Sequence, residues 1–169
     1  RAVSQIEVNM VSEQAAKADR RYITVNADHY MVYAIDMKVM YASGGAVAKI
    51  NGMTISGYTI QVDLLKNRIL AEGLGKDNPV MVMLGDDTIK GDMYSSDLSG
   101  SSGVMISSDR GVEIVDTSTG QLKVSKSDNM YTADLFETFD TSASMIHVES
   151  KQATIYPGEK IYFKNAAIS

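Results

Sequence analysis

The sequence predicts an all-β protein built from short antiparallel strands joined by tight turns. Three observations carry that prediction. From Tyr22 onward apolar and polar residues alternate with period 2, and no sustained i, i+3, i+4, i+7 stripe interrupts them. Clusters of Gly, Asn, Asp and Ser punctuate the alternation at "SGG" (43 to 45), "NG" (51 to 52), "GDD" (85 to 87), "SGSSG" (99 to 103) and "STG" (118 to 120). The third observation is an internal repeat, the usual mark of one supersecondary unit stacked on copies of itself. A sandwich, a barrel or a rolled solenoid meets all three.

Taken in order, residues 1 to 22 hold a short strand signal at Ile6-Glu7-Val8 and then a polar stretch, "SEQAAKADRR", with room for one or two helical turns. This lead-in is set apart from a single domain over residues 23 to 169. Within that domain four segments share one pattern: "NADHYMVYAID", "SGYTIQVDLLKNRILAEG", "KGDMYSSDLSGSSGVMISS" and "TADLFETFDTSASMIHVES". Each has a small residue, an alternating run, an Asp that opens a polar turn and a second run. The offset is six from Gly57 to Asp63 and from Gly91 to Asp97, and seven from Ala133 to Asp140. In the first copy Tyr33 stands at offset six. The Asp suits a turn because its side chain accepts backbone N–H bonds, and the small residue lets backbones approach or bend.

The 169 residues suffice for one domain with a real core. A net charge of -5 argues against nucleic acid, whose affinity rests on Lys and Arg displacing counterions. The absence of cysteine removes disulfides, thiolate metal sites and thiol nucleophiles, and fits a periplasmic or a cytosolic home equally. No run of about 18 apolar residues is present to span a bilayer as a helix. Starting at Arg1 and stopping at Ser169 within an alternating run, the chain reads as a processed or excised piece. Eleven methionines suit an adaptable apolar lining, although filling gaps in a core is their commoner use.

Candidate chemistry is sparse. His147 and Glu149 share a strand face and His29 lies beside Asp28, but two histidines far apart in sequence make a poor metal set, and no metal is expected. Asp86 and Asp87 bring to mind the paired carboxylates of glycosidases, yet "LGDDTIKGD" is first a hairpin turn. No nucleophile elbow, phosphate-binding loop or dinucleotide fingerprint occurs, so neither catalysis nor a cofactor is expected.

The repeat, as in "SGYTIQVDLLKNRILAEG", resembles the OstA-like repeat of the lipopolysaccharide-transport family, which includes LptA, the periplasmic part of LptC and the N-terminal domain of LptD. The resemblance covers residues 23 to about 168. It departs at Tyr33, which lacks the turn Asp, and at "SSDRGVEIVDTSTGQLKVSKSDN", longer than a regular repeat needs. The resemblance implies an antiparallel β-jellyroll, an open rolled sheet, in the periplasm, either free, membrane-anchored or borne on an outer-membrane protein. Its inward face would shield the acyl chains of lipopolysaccharide or a related glycolipid. Alternation assigns that face to Ile55, Ile60, Val62, Ile69, Val82, Leu84, Val104, Ile106, Ile114, Leu122, Val124, Leu135, Ile146, Val148 and Ile155. Burial at about 0.8 kcal/mol per CH₂ would hold a lipid without charge pairing.

The run "EKIYFKNAAIS" ends without a breaker, and such a strand offers unpaired backbone groups to another chain. Ile161, Phe163, Ala166, Ala167 and Ile168 are therefore the expected edge for self-association or for docking another jellyroll of a transport bridge. Two other classes compete with the carrier: a structural β-solenoid or adhesin-like module with a closed dry core, and a polysaccharide-acting β-helix.

Overall fold

A computed structural model describes residues 2–9, 21–127 and 133–169. Among them the fold is all-β: fifteen strands form one antiparallel sheet that closes into a barrel. The possible helical turns within residues 12 to 21 fall almost wholly outside the described residues.

Strands β2 (Ile23–Asn26) and β3 (Tyr30–Ala34) act as one strand bent at residues 27 to 29. Both pair with β4 (Val39–Ile50), in a register that runs without a slip from Ile23↔Ile50 to Ala34↔Val39. Opposite the bend, Gly44 and Gly45 take φ of 79° and 80°, a backbone region that L side chains seldom adopt. A Cβ on Gly44 would also collide with the His29 ring. There the pairing of β4 with β5 (Met53–Asp63) shifts, between Ser43 and Ala46, and this bulge sharpens the bend.

The next strands bend or break on the same line. The second half of β5 pairs with β6 (Arg68–Glu72), and its first half pairs with β7 (Val80–Leu84). At its bend Gly57 lies so close to the neighbour that a Cβ would stand 2.9 Å from the Glu72 carbonyl oxygen. β8 (Asp87–Gly91) pairs with β7, β9 (Met93–Asp97) pairs with β6, and only Asp92 separates them. β10 (Ser102–Ser107), β11 (Gly111–Asp116) and β12 (Lys123–Lys126) continue the meander beyond β9.

On the other flank β13 (His147–Glu149) pairs with β3, and β14 (Gln152–Tyr156) pairs with β2. β15 (Lys160–Ile168) runs along both. β1 (Ala2–Asn9) covers the far edge of β15 from Ala2↔Ala167 to Asn9↔Lys160, so the lead-in strand belongs to the same sheet.

The sheet is thus creased into two facing leaves. The first carries β13, β3, β6 and β9 to β12; the second carries β14, β2, β7 and β8; β4, β5 and β15 cross from one to the other. The core lies between them. Tyr33 of the first leaf stacks on Phe163 of β15 with centroids 5.7 Å apart. On the side opposite the crease, the leaf tips meet: Asn51 Nδ2 donates to the Ser99 carbonyl at 2.7 Å, and Gly100 lies against Ile50 and Met53. Thr117 donates to the Gly100 carbonyl and ties the following loop across the same seam.

The repeat reading holds for the hairpins and fails for the last segment. Asp63 Oδ1 accepts from the N–H groups of Leu65 and Lys66 at 3.0 and 3.1 Å, and Asp97 Oδ1 accepts from Gly100 N–H at 3.0 Å. The apparent insertion after residue 107 is β11 and β12, an extension of the meander rather than an interruption. The fourth segment forms no hairpin. Its residues 133 to 146 run as a strap across the outer face of the first leaf, with short 3-10 turns at Ala133–Phe136 and Thr141–Ala143, before it joins the sheet as β13. Its Asp140 caps the second of these by accepting from Ser142 N–H.

Candidate apolar interior

The interior is assembled from the inward positions of both leaves. Ile55, Ile60, Val62 and Val82 are fully buried, Ile69 and Val148 are 1 % exposed, and Ile155 closes the row from β14. These seven lie together in the core, where alternation placed them. Leu84, at the end of β7, and Leu122, just before β12, are partly buried and pack against it.

The remaining assignments fall elsewhere, for identifiable reasons. In β10 the inward positions are Gly103, Met105 and Ser107, so Val104 and Ile106 face outward. Pairing sets this phase: Met105 stands opposite the fully buried Tyr94, and residues directly opposite share a face. The same phase turns Ile114 outward, 37 % exposed, and puts Glu113 and Val115 inward. Glu113 is tolerated there because Arg110 Nε pairs with its carboxylate at 2.9 Å. Val124 shares the inward face of Val115 but sits on the edge strand and is 40 % exposed. Leu135 belongs to the strap and Ile146 to an exposed turn, so neither lines the interior.

Sequence reasoning missed several of the largest side chains in this space: Met31, Tyr33, Met40, Met53, Tyr94 and Met105. Gly103, Ser107 and Glu113 at inward positions hid the period in β10 and β11. The expected free edge is likewise corrected. Ile161, Phe163 and Ala166 are fully buried, and β15 is paired by β1 between Lys160 and Ala167 on one side and, on the other, by β14 from Lys160 to Phe163 and by β13 at Ala167 and Ile168. Ile168, the last of the five edge residues, pairs with Val148 of β13.

Polar groups at the interior are few. The Tyr94 hydroxyl is buried without a hydrogen-bond partner, and the Ser96 hydroxyl on the same face donates to the Asp97 carbonyl at 2.8 Å. Burial pushes the Tyr94 and Tyr33 phenols up to about 12. The strap is held from outside by Gln61. Its amide donates to the Glu137 carbonyl at 2.8 Å and its oxygen accepts from Phe139 N–H at 3.0 Å. Beyond it Lys66 pairs with Glu137, and Asp36 accepts from Met145 N–H and from the Ser144 hydroxyl. Those two donors hold the Asp36 carboxyl below the ordinary carboxylate range.

The other candidate residues do not converge. His147 Nε2 lies 2.9 Å from the Thr141 carbonyl, His29 packs on Gly44, and Asp87 accepts from Leu122 N–H at 3.4 Å. Among the described residues no group of three or more His, Asp or Glu side chains is placed to hold a metal ion. The chain matches no protein-family model and no curated protein.

Proposed function

We propose that this chain is a lipid-carrying module of the lipopolysaccharide-transport type, a periplasmic β-jellyroll that takes the acyl chains of an anionic glycolipid between its two leaves and catalyses no reaction. One observation carries the reading. A continuous apolar interior is bounded on the crease side by backbone ladders but on the seam side by turn and side-chain contacts, chiefly Asn51 to Ser99 and Gly100 against Ile50 and Met53. Such a seam can part while every ladder stays paired. The energies favour this: an exposed hydrogen bond contributes about 1 kcal/mol, which the burial of one or two methylenes offsets. Met31, Met40, Met53 and Met105 line the space with flexible, polarisable chains that repack around an irregular guest. A net charge of -5 fits binding through tails rather than through phosphates.

The same burial favours a second reading, a closed structural module in which the interior is a dry core and the repeats set only length. Mass spectrometry of the purified protein, with photo-crosslinking residues placed at Leu84 or Val115 and at Ile114 or Lys66, separates the two. A carrier co-purifies with acylated glycolipid and crosslinks from Leu84 and Val115 but not from Ile114 or Lys66. No lipid, or equal crosslinking from both sets, selects the structural module.

A further inference from the structure

The outer face of the second leaf has a composition unlike that of the chain as a whole. Cross-strand pairing sets Glu7, Tyr162, Thr154, Thr24, Lys49 and Thr54 in one unbroken row across β1, β15, β14, β2, β4 and β5. Beside it Gln5 stands opposite Lys164, and Gln152 stands opposite Asn26. At the other flank Tyr22, Tyr156 and Tyr162 form an aromatic run with centroids 5.9 and 6.0 Å apart. Lys160 sits over Tyr162 and pairs with Glu7 at 3.3 Å and with Glu159 at 3.8 Å, so the carboxylate of that row has a cationic partner. Lys49 and Lys164 are exposed and, among the described residues, pair with no carboxylate.

Two clefts occupy this face. One, of about 530 Å³, is lined by Gln5, Asn26, Gln152, Tyr162, Lys164 and Lys49. The other, of about 720 Å³, is lined by Arg21, Tyr22, Asn51, Thr54 and again by Lys49. They share Thr24 and Lys49 and so make one track across the strands.

We propose that this track binds an acidic polysaccharide, a chain of uronic-acid sugars, with a carboxylate at Lys49 and another at Lys164. The chemistry of each row matches one part of such a ligand. Amide and hydroxyl side chains both donate and accept, as sugar hydroxyls require. Aromatic rings pack against the apolar C–H face of a pyranose. Exposed ammonium groups, whose backbone positions the ladder sets, form charge-assisted bonds to carboxylates. Two clefts meeting at one lysine suit a polymer better than a single sugar. A carrier interior between the leaves is not required, so this site stands apart from the lipid-carrying reading.

The test is calorimetric titration with oligogalacturonate, with its fully methyl-esterified form as the uncharged comparator. The parent protein should bind the acid form, more weakly as salt rises, and bind the ester at least about tenfold more weakly. Lys49→Ala with Lys164→Ala should lose about tenfold or more in affinity, the loss of one charge-assisted bond or more. Tyr22→Ala should weaken binding of both forms. Both lysines are exposed, so an unchanged melting temperature would confirm that the variant is folded. No binding by the parent, equal binding of acid and ester, or undiminished binding by the lysine pair would overturn the proposal. A concentration-dependent self-association lost in the same variants and unaffected by the saccharide would assign the face to a second copy of the chain instead.

Discussion

Tyr94 and Gly103 show how closely two adjacent strands are fitted. A Cβ on Gly103 would collide with the Tyr94 hydroxyl and ring, so Gly103→Ala forces the ring out of place and should cost about 2 kcal/mol in urea unfolding. Tyr94→Phe removes a buried hydroxyl that has no partner, and should raise stability by about 1 kcal/mol. The same phenol predicts an alkaline limit. Its folded pKa of about 12 lies above the ordinary tyrosine value near 10, so the neutral form is favoured in the folded state. The stability it contributes is therefore whole below about pH 10 and is lost as pH rises from there to about 12. Tyr33, raised to about 12 as well, adds to the loss. Chemical denaturation at stepped pH should show a decline across that window that is shallower in Tyr94→Phe than in the parent. At this scale the turn-forming Asp63 and Asp97 were legible in the sequence, because an Asx turn is a local structure. The inward phase of Met105 was not, because it depends on which residue of β9 stands opposite.

The strap and β15 are where local and distant information part company. The strap segment carries the repeat's small residue and Asp, yet it forms 3-10 turns over the first leaf because Gln61 offers it a peptide-like pair of hydrogen bonds. Gln61→Ala leaves the Phe139 N–H and the Glu137 carbonyl without those bonds, and should cost about 1 to 3 kcal/mol. Hydrogen exchange would report it as loss of protection at the Phe139 amide while the β4 and β5 amides keep theirs. β15 ends in a run that reads as a free edge, but residues 2 to 9, far away in sequence, already fill that edge. Ala166→Pro and Ala167→Pro are accordingly expected to lower the melting temperature of the whole fold rather than to weaken association alone, since Ala166 is fully buried in the ladder with β1 and Ala167 is paired on both sides. Among the described residues the edges left for docking are those of β1, β8 and β12. Deleting residues 1 to 9 should uncover β15 and produce association that grows with concentration in light scattering, and a truncated chain that remains monomeric would contradict this.

At the scale of the whole molecule, the two leaves come from one sheet because its long strands bend along a common line. Gly44, Gly45 and Gly57 place that line where a side chain would meet a neighbour or force an unfavourable φ. The small residue of the repeat pointed to this crease, and alternation pointed to an all-β fold and to seven of the interior residues. What remained hidden was closure: the approach of Asn51 to Ser99 is a contact between tips of different hairpins, which no periodicity encodes. On the carrier reading proposed above, closure also decides function, since acyl chains would enter between the leaves only if the seam parts. The chain has no cysteine, so an Asn51→Cys, Ser99→Cys pair can be bridged selectively by a short bis-maleimide. Binding of a fluorescent lipopolysaccharide, measured with and without the bridge, tests the carrier account most directly. The account predicts that the unbridged pair binds as the parent does and that the bridged protein loses binding while keeping its melting temperature or raising it; equal binding by bridged and unbridged protein, or none by the parent, would contradict it.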